Sequence, residues 1–249
     1  MPSHRPSFSV SPAVDSVRGS LAGGMSALIW IVVVGVAAVA LGGAGGSGST
    51  AGGANFGPPV GPSEHVKPRQ GKPMESLLEG KAGPAVDQLH AELNDYLRRA
   101  GVDTGQVSAE DLTWLPASQK YAIPPRELWP NIVPTARIVE ELNRRMGYNL
   151  AVRAYRPPWY NTKQRGSKNS THQWFSAVDL RVPPEVEDNR TAEKRRLAEE
   201  TVRVFVELGD EYQIGMGVYG ASVPSNVHVD TMHSRRTWEE AQDWIDKAA

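Results

Sequence analysis

The stretch S-T-H-Q-W-F-S-A-V-D-L-R-V, residues 170–182, places His172 seven residues before Asp179 and passes from a polar segment into a short apolar one. The apolar end, stopped by Pro183 and Pro184, suits a β-strand. Asp179 sits near the start of that run, where a carboxylate does not enter a core without a partner. The chain of 249 residues has only six histidines. The pair is therefore either two solvated polar side chains or half of a metal site.

A third partner stands in N-V-H-V-D-T, at His228. Residues two apart in a strand point the same way, so His228 and Asp230 would share one face. His172, Asp179 and His228 offer two imidazoles and one carboxylate, which leaves a fourth corner open, as a catalytic zinc requires. On spacing alone a satisfied surface trio would look alike. The chain has no cysteine, so disulfides and thiolate ligands are excluded and any metal is held by His, Asp or Glu. A formal net charge of −1 gives no support to broad nucleic-acid binding, which shows as a basic surplus.

Around this segment helices and short strands alternate irregularly. Val86, Leu89, Leu93, Tyr96 and Leu97 recur at helical spacing after Pro84 and predict an amphipathic helix over 84–100, with His90 off the stripe and at the surface. Ile138, Val139 and Leu142 predict a second helix, from Pro134 to near Gly147. Strands are expected at 149–155, 176–182, 214–219 and 226–231, a long helix at 190–208, and a last helix from Thr237 with Trp238, Ala241, Trp244 and Ile245 on its apolar side. The fold class expected is α+β, a small and mainly antiparallel sheet with flanking helices, over residues 74–249.

Residues 1–20 are polar and basic, and no charged residue occurs from Ser20 to Ser63. The apolar part within 21–43 is long enough to cross a hydrocarbon core of about 30 Å as a helix. It exceeds the 7–15 residues of a usual signal-peptide core, which favours an uncleaved single-pass anchor over a cleaved leader. Positive charge lies only before it, so the N-terminus is expected in the cytoplasm and the rest outside. Residues 44–73 are rich in Gly, Ser and Pro and read as a tether, in which His65 is idle.

Three pieces of the sequence, in this order, resemble the zinc D-alanyl-D-alanine peptidase family, whose fold is shared by Hedgehog signalling domains. They are Y-R-P-P-x-Y-N (Tyr155, Arg156, Pro157, Tyr160, Asn161), then S-x-H-x-x-x-x-A-x-D (Ser170, His172, Ala177, Asp179). The third is a G-x-G-x-Y and H-x-D-T segment ending in an arginine and a tryptophan: Gly215, Gly217, Tyr219, His228, Asp230, Thr231, Arg235 and Trp238. The likeness spans roughly 148–240. It implies that His172, Asp179 and His228 ligate Zn²⁺ and that the domain is a metallopeptidase cutting peptidoglycan stem peptides, which the apolar segment at 21–43 would anchor to the membrane. A D-Ala-D-Ala carboxypeptidase or endopeptidase is the first expectation; an L-alanyl-D-glutamate endopeptidase or a non-catalytic wall-binding module are the alternatives. Arg156 would face the substrate, where a guanidinium suits a carboxylate or an oxyanion. Ser170 would lie near the substrate or cap a local turn.

The sequence departs from the family pattern twice. Phe175 stands where many members carry glycine, which would narrow the pocket or shift the loop. Ser225 occupies the position of an acid that serves as general base in several branches. Asp230, the nearest acid on that face, either orients a ligand or takes the proton itself; His233, Asp210 and Glu211 are lesser candidates. Tyr155 and Asn161 are expected to fix loops, Trp159 and Trp174 to line a groove or pack at its rim, and the G-x-G at 215–217 to mark a close backbone approach.

Overall fold

The computed structural model describes residues 73–186, 189–232 and 235–248. The expected anchor at 21–43, the segment before it and all of the tether except Pro73 lie outside these residues. Among the described residues no helix is long and apolar enough to cross a membrane.

Among the described residues eight strands and six α-helices follow one another as β1 (Leu78–Gly80), α1 (Pro84–Arg99), α2 (Ala109–Thr113), β2 (Trp114–Leu115), β3 (Lys120–Ile123), α3 (Trp129–Met146), β4 (Ala151–Arg153), α4 (Pro158–Lys163), β5 (Ala177–Arg181), α5 (Arg190–Leu208), β6 (Gly215–Tyr219), β7 (Asn226–Asp230), β8 (Arg236–Glu239) and α6 (Ala241–Ala248). They form an α+β fold with two sheets, β1-β3-β2 and β4-β5-β7-β6-β8. Every pairing is antiparallel except β6 with β8.

The larger sheet sorts its side chains by the two-residue period of a strand. Val152, Leu180, Val227 and Val218 stand abreast across four strands, and Val178, Val229 and Met216 form a parallel row. All but Val152 are fully buried, and α3 and α5 cover this face. Each such side chain contributes about 1.5–3 kcal/mol relative to exposure, so this face anchors the register. The opposite face then carries Arg153, Asp179, His228, Gly217 and Trp238 abreast, flanked by a row of Ala177, Asp230, Gly215 and Arg236. A slip of one residue would exchange the two faces.

Three expectations are corrected. His90 is not at the surface: it is 3% exposed and completes the buried 4-3-4 stripe Val86, His90, Leu93, Leu97, while Leu89 turns partly outward. Its polar ring is tolerated there because Nε2 hydrogen-bonds Thr113 Oγ1 at 2.9 Å and the ring meets Tyr121 edge-on. Helix α3 begins at Trp129, not at Pro134, with Pro130 in the first turn, where a missing N–H costs nothing. Its end does fall where expected, at Gly147, whose φ of +79° suits glycine. The last helix begins at Ala241; residues 236–239 pair in parallel with β6 instead, so Trp238 belongs to the sheet.

Candidate metal centre

Asp179 and His228 are direct cross-strand partners on β5 and β7. His172 comes from elsewhere, a 3₁₀ turn at Thr171–Trp174 that precedes β5. The turn is held against the chain leaving β4: Arg156 N–H donates to His172 O at 3.1 Å, and His172 Nδ1 lies 2.7 Å from Ala154 O. A carbonyl only accepts, so Nδ1 carries the proton and Nε2 presents its lone pair. His228 is fixed in the other sense. Its Nε2 forms no hydrogen bond but lies 3.4 Å from the Asp230 Oδ2 carboxylate, whose negative charge favours the proton on Nε2 and leaves Nδ1 bare.

Three acceptor atoms therefore converge. His172 Nε2, His228 Nδ1 and Asp179 Oδ1 lie 3.0–3.2 Å from one another. The three residues are buried, and together they can hold a metal ion. A tetrahedral ion with bonds of about 2.05 Å separates its ligand atoms by ~3.3 Å, so these atoms already outline one face of such a tetrahedron. Three lone-pair donors at this distance repel one another unless a cation sits among them. Protonation is a poor substitute. Burial, reinforced by Arg156 and His228, pushes the His172 pKa well below the usual value. Burial also lowers His228, although Asp230 opposes the shift.

Arg156 hydrogen-bonds the other oxygen of Asp179, Oδ2, through Nη2 and so aims Oδ1 at the imidazoles. Asp230 is fully buried behind His228, on the side away from the three converging atoms. Burial alone would raise its carboxyl pKa; His228 and Arg236, whose Nη2 donates at 2.8 Å, outweigh that and the net shift is downward. Two glycines make room for this arrangement. A Cβ at Gly215 would sit 2.7 Å from Asp230 Oδ2, and one at Gly217 would run into the Trp238 indole. The close approach expected of the G-x-G is thus to side chains of the site. Trp238 in turn packs its ring 5.0 Å from that of His228 and donates Nε1–H to Tyr219 OH at 3.2 Å.

The trio opens on a cleft of about 420 Å³, whose wall also includes Arg156, Asn169, Ser170, Tyr219, Asn226 and Trp238. Ser170 stands at the N-cap of the 3₁₀ turn, but its side chain makes no capping hydrogen bond. Phe175 does not narrow the cleft. Its backbone adopts φ +53°, ψ +41°, the conformation glycine favours, while its ring is fully buried edge-on against Tyr155. Ser225 is exposed at the start of β7, bonded to Tyr219 O and Asn226 Oδ1. Asp210 pairs with Arg235 and Glu211 is exposed, both away from the cleft wall. His233 lies outside the described residues. Trp159 and Trp174 pack on the core as partly buried residues rather than line the cleft.

Tyr155 OH donates to Met74 O, and Asn161 Nδ2 to Ser167 O, so both tie down the segments around the cleft. Sequence reasoning missed Arg236, the partner of Asp230. The signal was its place two residues before Trp238 in R-T-W, which gives both one face once the segment is read as a strand. No protein-family model matches the chain, and no curated protein matches it.

Proposed function

We propose that the chain is a zinc-dependent peptidase that hydrolyses amide bonds in peptidoglycan stem peptides, of the D-Ala-D-Ala carboxypeptidase or endopeptidase type. The observation that carries this reading is the convergence of His172 Nε2, His228 Nδ1 and Asp179 Oδ1, with every competing proton directed elsewhere and the fourth corner turned to a cleft. The donor types, two imidazole nitrogens and a carboxylate oxygen 3.0–3.2 Å apart, suit zinc among the common divalent ions. When bound, the ion supplies Lewis acidity toward a carbonyl and acidifies a coordinated water. The residues do the rest. Arg156 holds Asp179 in place and presents its remaining N–H groups to the cleft, where they suit a carboxylate or a developing oxyanion. Asp230 fixes the tautomer and plane of His228. Ser170 and Tyr219 add hydroxyls to the wall. On this reading the apolar segment at 21–43 and the tether would hold the peptidase at a membrane facing its polymeric substrate.

One observation favours a second reading. Among the described residues the only carboxylates on the cleft wall are Asp179 and Asp230, and both are already engaged. A domain that keeps the metal and binds wall peptide without cutting it fits that absence of a free acid. Incubation of the zinc-loaded protein with purified muropeptides, followed by mass spectrometry of the products, decides between them. Cleavage that disappears in His172→Ala together with stoichiometric zinc supports the peptidase; peptide binding with intact muropeptides supports the binding module. Product masses also separate D-Ala-D-Ala cleavage from an L-alanyl-D-glutamate cut.

A further inference from the structure

The site face of the sheet carries two arginines that the metal centre does not use. Arg153 stands directly opposite Asp179 on the edge strand β4, and Arg181 lies two residues beyond Asp179 on β5, so both share its face. The other arginines on this face are neutralised: Arg156 by Asp179 and Arg236 by Asp230. Arg144, Arg145 and Arg196 elsewhere each have a glutamate. Arg153 and Arg181 have no carboxylate partner among the described residues, and both are half-buried. The Nε of Arg181 is buried with no hydrogen-bond acceptor at all among them. A guanidinium N–H withdrawn from water without an acceptor costs stability, and a second cation beside it adds to the cost. An anion seated between the two guanidinium groups would offset the charge cost. Strand geometry puts Arg153 about 5 Å and Arg181 about 7 Å from Asp179, Cα to Cα, which is one to two residue lengths of an extended peptide.

We infer that Arg153 and Arg181 form a carboxylate-binding subsite on the β4 side of the metal cleft. The inference rests on the peptidase reading for its ligand: the peptide taken carries a free carboxylate within about two residues of the scissile amide. A planar guanidinium pair matches a carboxylate through charge-assisted, two-pronged hydrogen bonds, and an amide in the same place can accept but carries no charge.

The test uses the full-length chain and two matched pairs of peptides. One pair is diacetyl-L-lysyl-D-alanyl-D-alanine and its C-terminal carboxamide. The other is L-alanyl-D-glutamic acid γ-methylamide and its α-carboxamide. Binding is read by calorimetry on chelator-treated protein, in which no turnover disturbs the heat, and again with zinc; cleavage is followed separately by mass spectrometry. The expected result is at least about tenfold tighter binding of the acid than of the amide in one pair or both. Arg153→Gln and Arg181→Gln lose that preference while amide binding is unchanged, and Arg181→Lys restores part of it. Equal binding of acid and amide by the wild type overturns the subsite. So does an equal loss of both ligands in the variants, or no measurable binding of any peptide. A protein that prefers the acids and cuts none keeps the subsite and loses the peptidase assignment. One that cuts peptides without regard to the carboxylate does the reverse.

Discussion

Asp230→Asn separates the two roles open to this residue. The carboxylate is fully buried, faces His228 Nε2 at 3.4 Å, accepts from Arg236 Nη2 at 2.8 Å and from the Met232 N–H at 3.3 Å. Replacing one oxygen by NH₂ keeps the shape and removes the charge. The amide has a single oxygen to satisfy Arg236 and His228 at once, and its NH₂ cannot accept from either. His228 then loses the partner that keeps the proton on Nε2, and the tautomer that bares Nδ1 is no longer favoured. Loss of such a supporting partner lowers metal affinity by roughly 10–100-fold, or about 1.4–2.7 kcal/mol. Fold stability falls as well, by about 1–3 kcal/mol, because Arg236 is left without its anion; the cost stays in that range because Arg236 is a third exposed and can take up water.

Competition with a chromophoric chelator gives the zinc affinity, and turnover of muropeptides at saturating zinc gives the chemistry. An orienting role predicts weaker zinc and turnover within about tenfold of wild type once the site is filled. A general base predicts the opposite, unchanged zinc and a 10²–10⁴-fold loss of turnover at every zinc concentration, on the order of what a base supplies. That second outcome would refute the placement of Asp230 as a positioning residue. The zinc measurement retains its meaning even for a protein that cuts nothing.

Two further outcomes follow from burial. In the metal-free protein His90, His172 and His228 all have pKa values lowered by burial, so the unfolded chain takes up protons first on acidification. Their contribution is fully present above ~6.5, and is lost as pH falls toward the folded-state values at up to about 1.4 kcal/mol per pH unit per histidine. The urea midpoint of chelator-treated protein is therefore flat from pH 7 to 8 and drops between pH 6.5 and 5; a midpoint that rises on acidification contradicts the neutral, buried histidines. Phe175→Gly sets a lost ring against a relaxed backbone. Emptying a fully buried phenylalanine site costs about 3–5 kcal/mol, and removing a left-handed side-chain conformation returns about 1–2 kcal/mol. Stability falls by about 1–4 kcal/mol, read in the same urea titration, and an unchanged or raised midpoint means that the ring does not fill the core beside Tyr155.

The strands that hold the centre were legible because their two faces differ. Val178, Leu180, Val227 and Val229 alternate with Asp179, His228 and Asp230, and no other period fits both segments. Helix α5 was equally plain, since its apolar positions recur over five turns between an asparagine and a glycine. What failed were elements whose identity rests on a distant partner. Trp238 has the spacing to Ala241 and Trp244 of a helix, and only the free edge of β6 makes it a strand residue. The sheet of β1, β2 and β3 has strands of two to four residues, too short to show a period. His90 was misplaced because a histidine on an apolar stripe reads as a break in it, while Thr113, its hydrogen-bond partner, is 23 residues away. The three converging residues were named from the sequence, but their tautomers depend on Ala154 O and on the back-to-back packing of Asp230, which no spacing reveals.

Charge explains how this centre would work without an unengaged carboxylate on its wall. The two imidazoles are neutral, Asp179 contributes −1 and Arg156 +1, and the pair of Asp230 with Arg236 cancels. The trio with its arginine thus sums to zero before an ion arrives, and a dication brings the whole site to +2. That excess sits beside the Trp238 ring and the floor of the sheet, in a wall partly closed to water, with two more unneutralised arginines on the same face. Fields in such a setting are screened far less than in bulk solvent. Anything that carries negative charge into the cleft is favoured, whether a substrate carboxylate, a hydroxide or an oxyanion forming at a carbonyl. In sites that pair their metal with two carboxylates and a third as base, much of this excess is already cancelled and proton removal falls to the free acid. Here Ser225 is exposed at the head of β7 and the nearest acid, Asp230, lies behind His228, so lowering the cost of the deprotonated water would fall to the uncancelled positive charge itself.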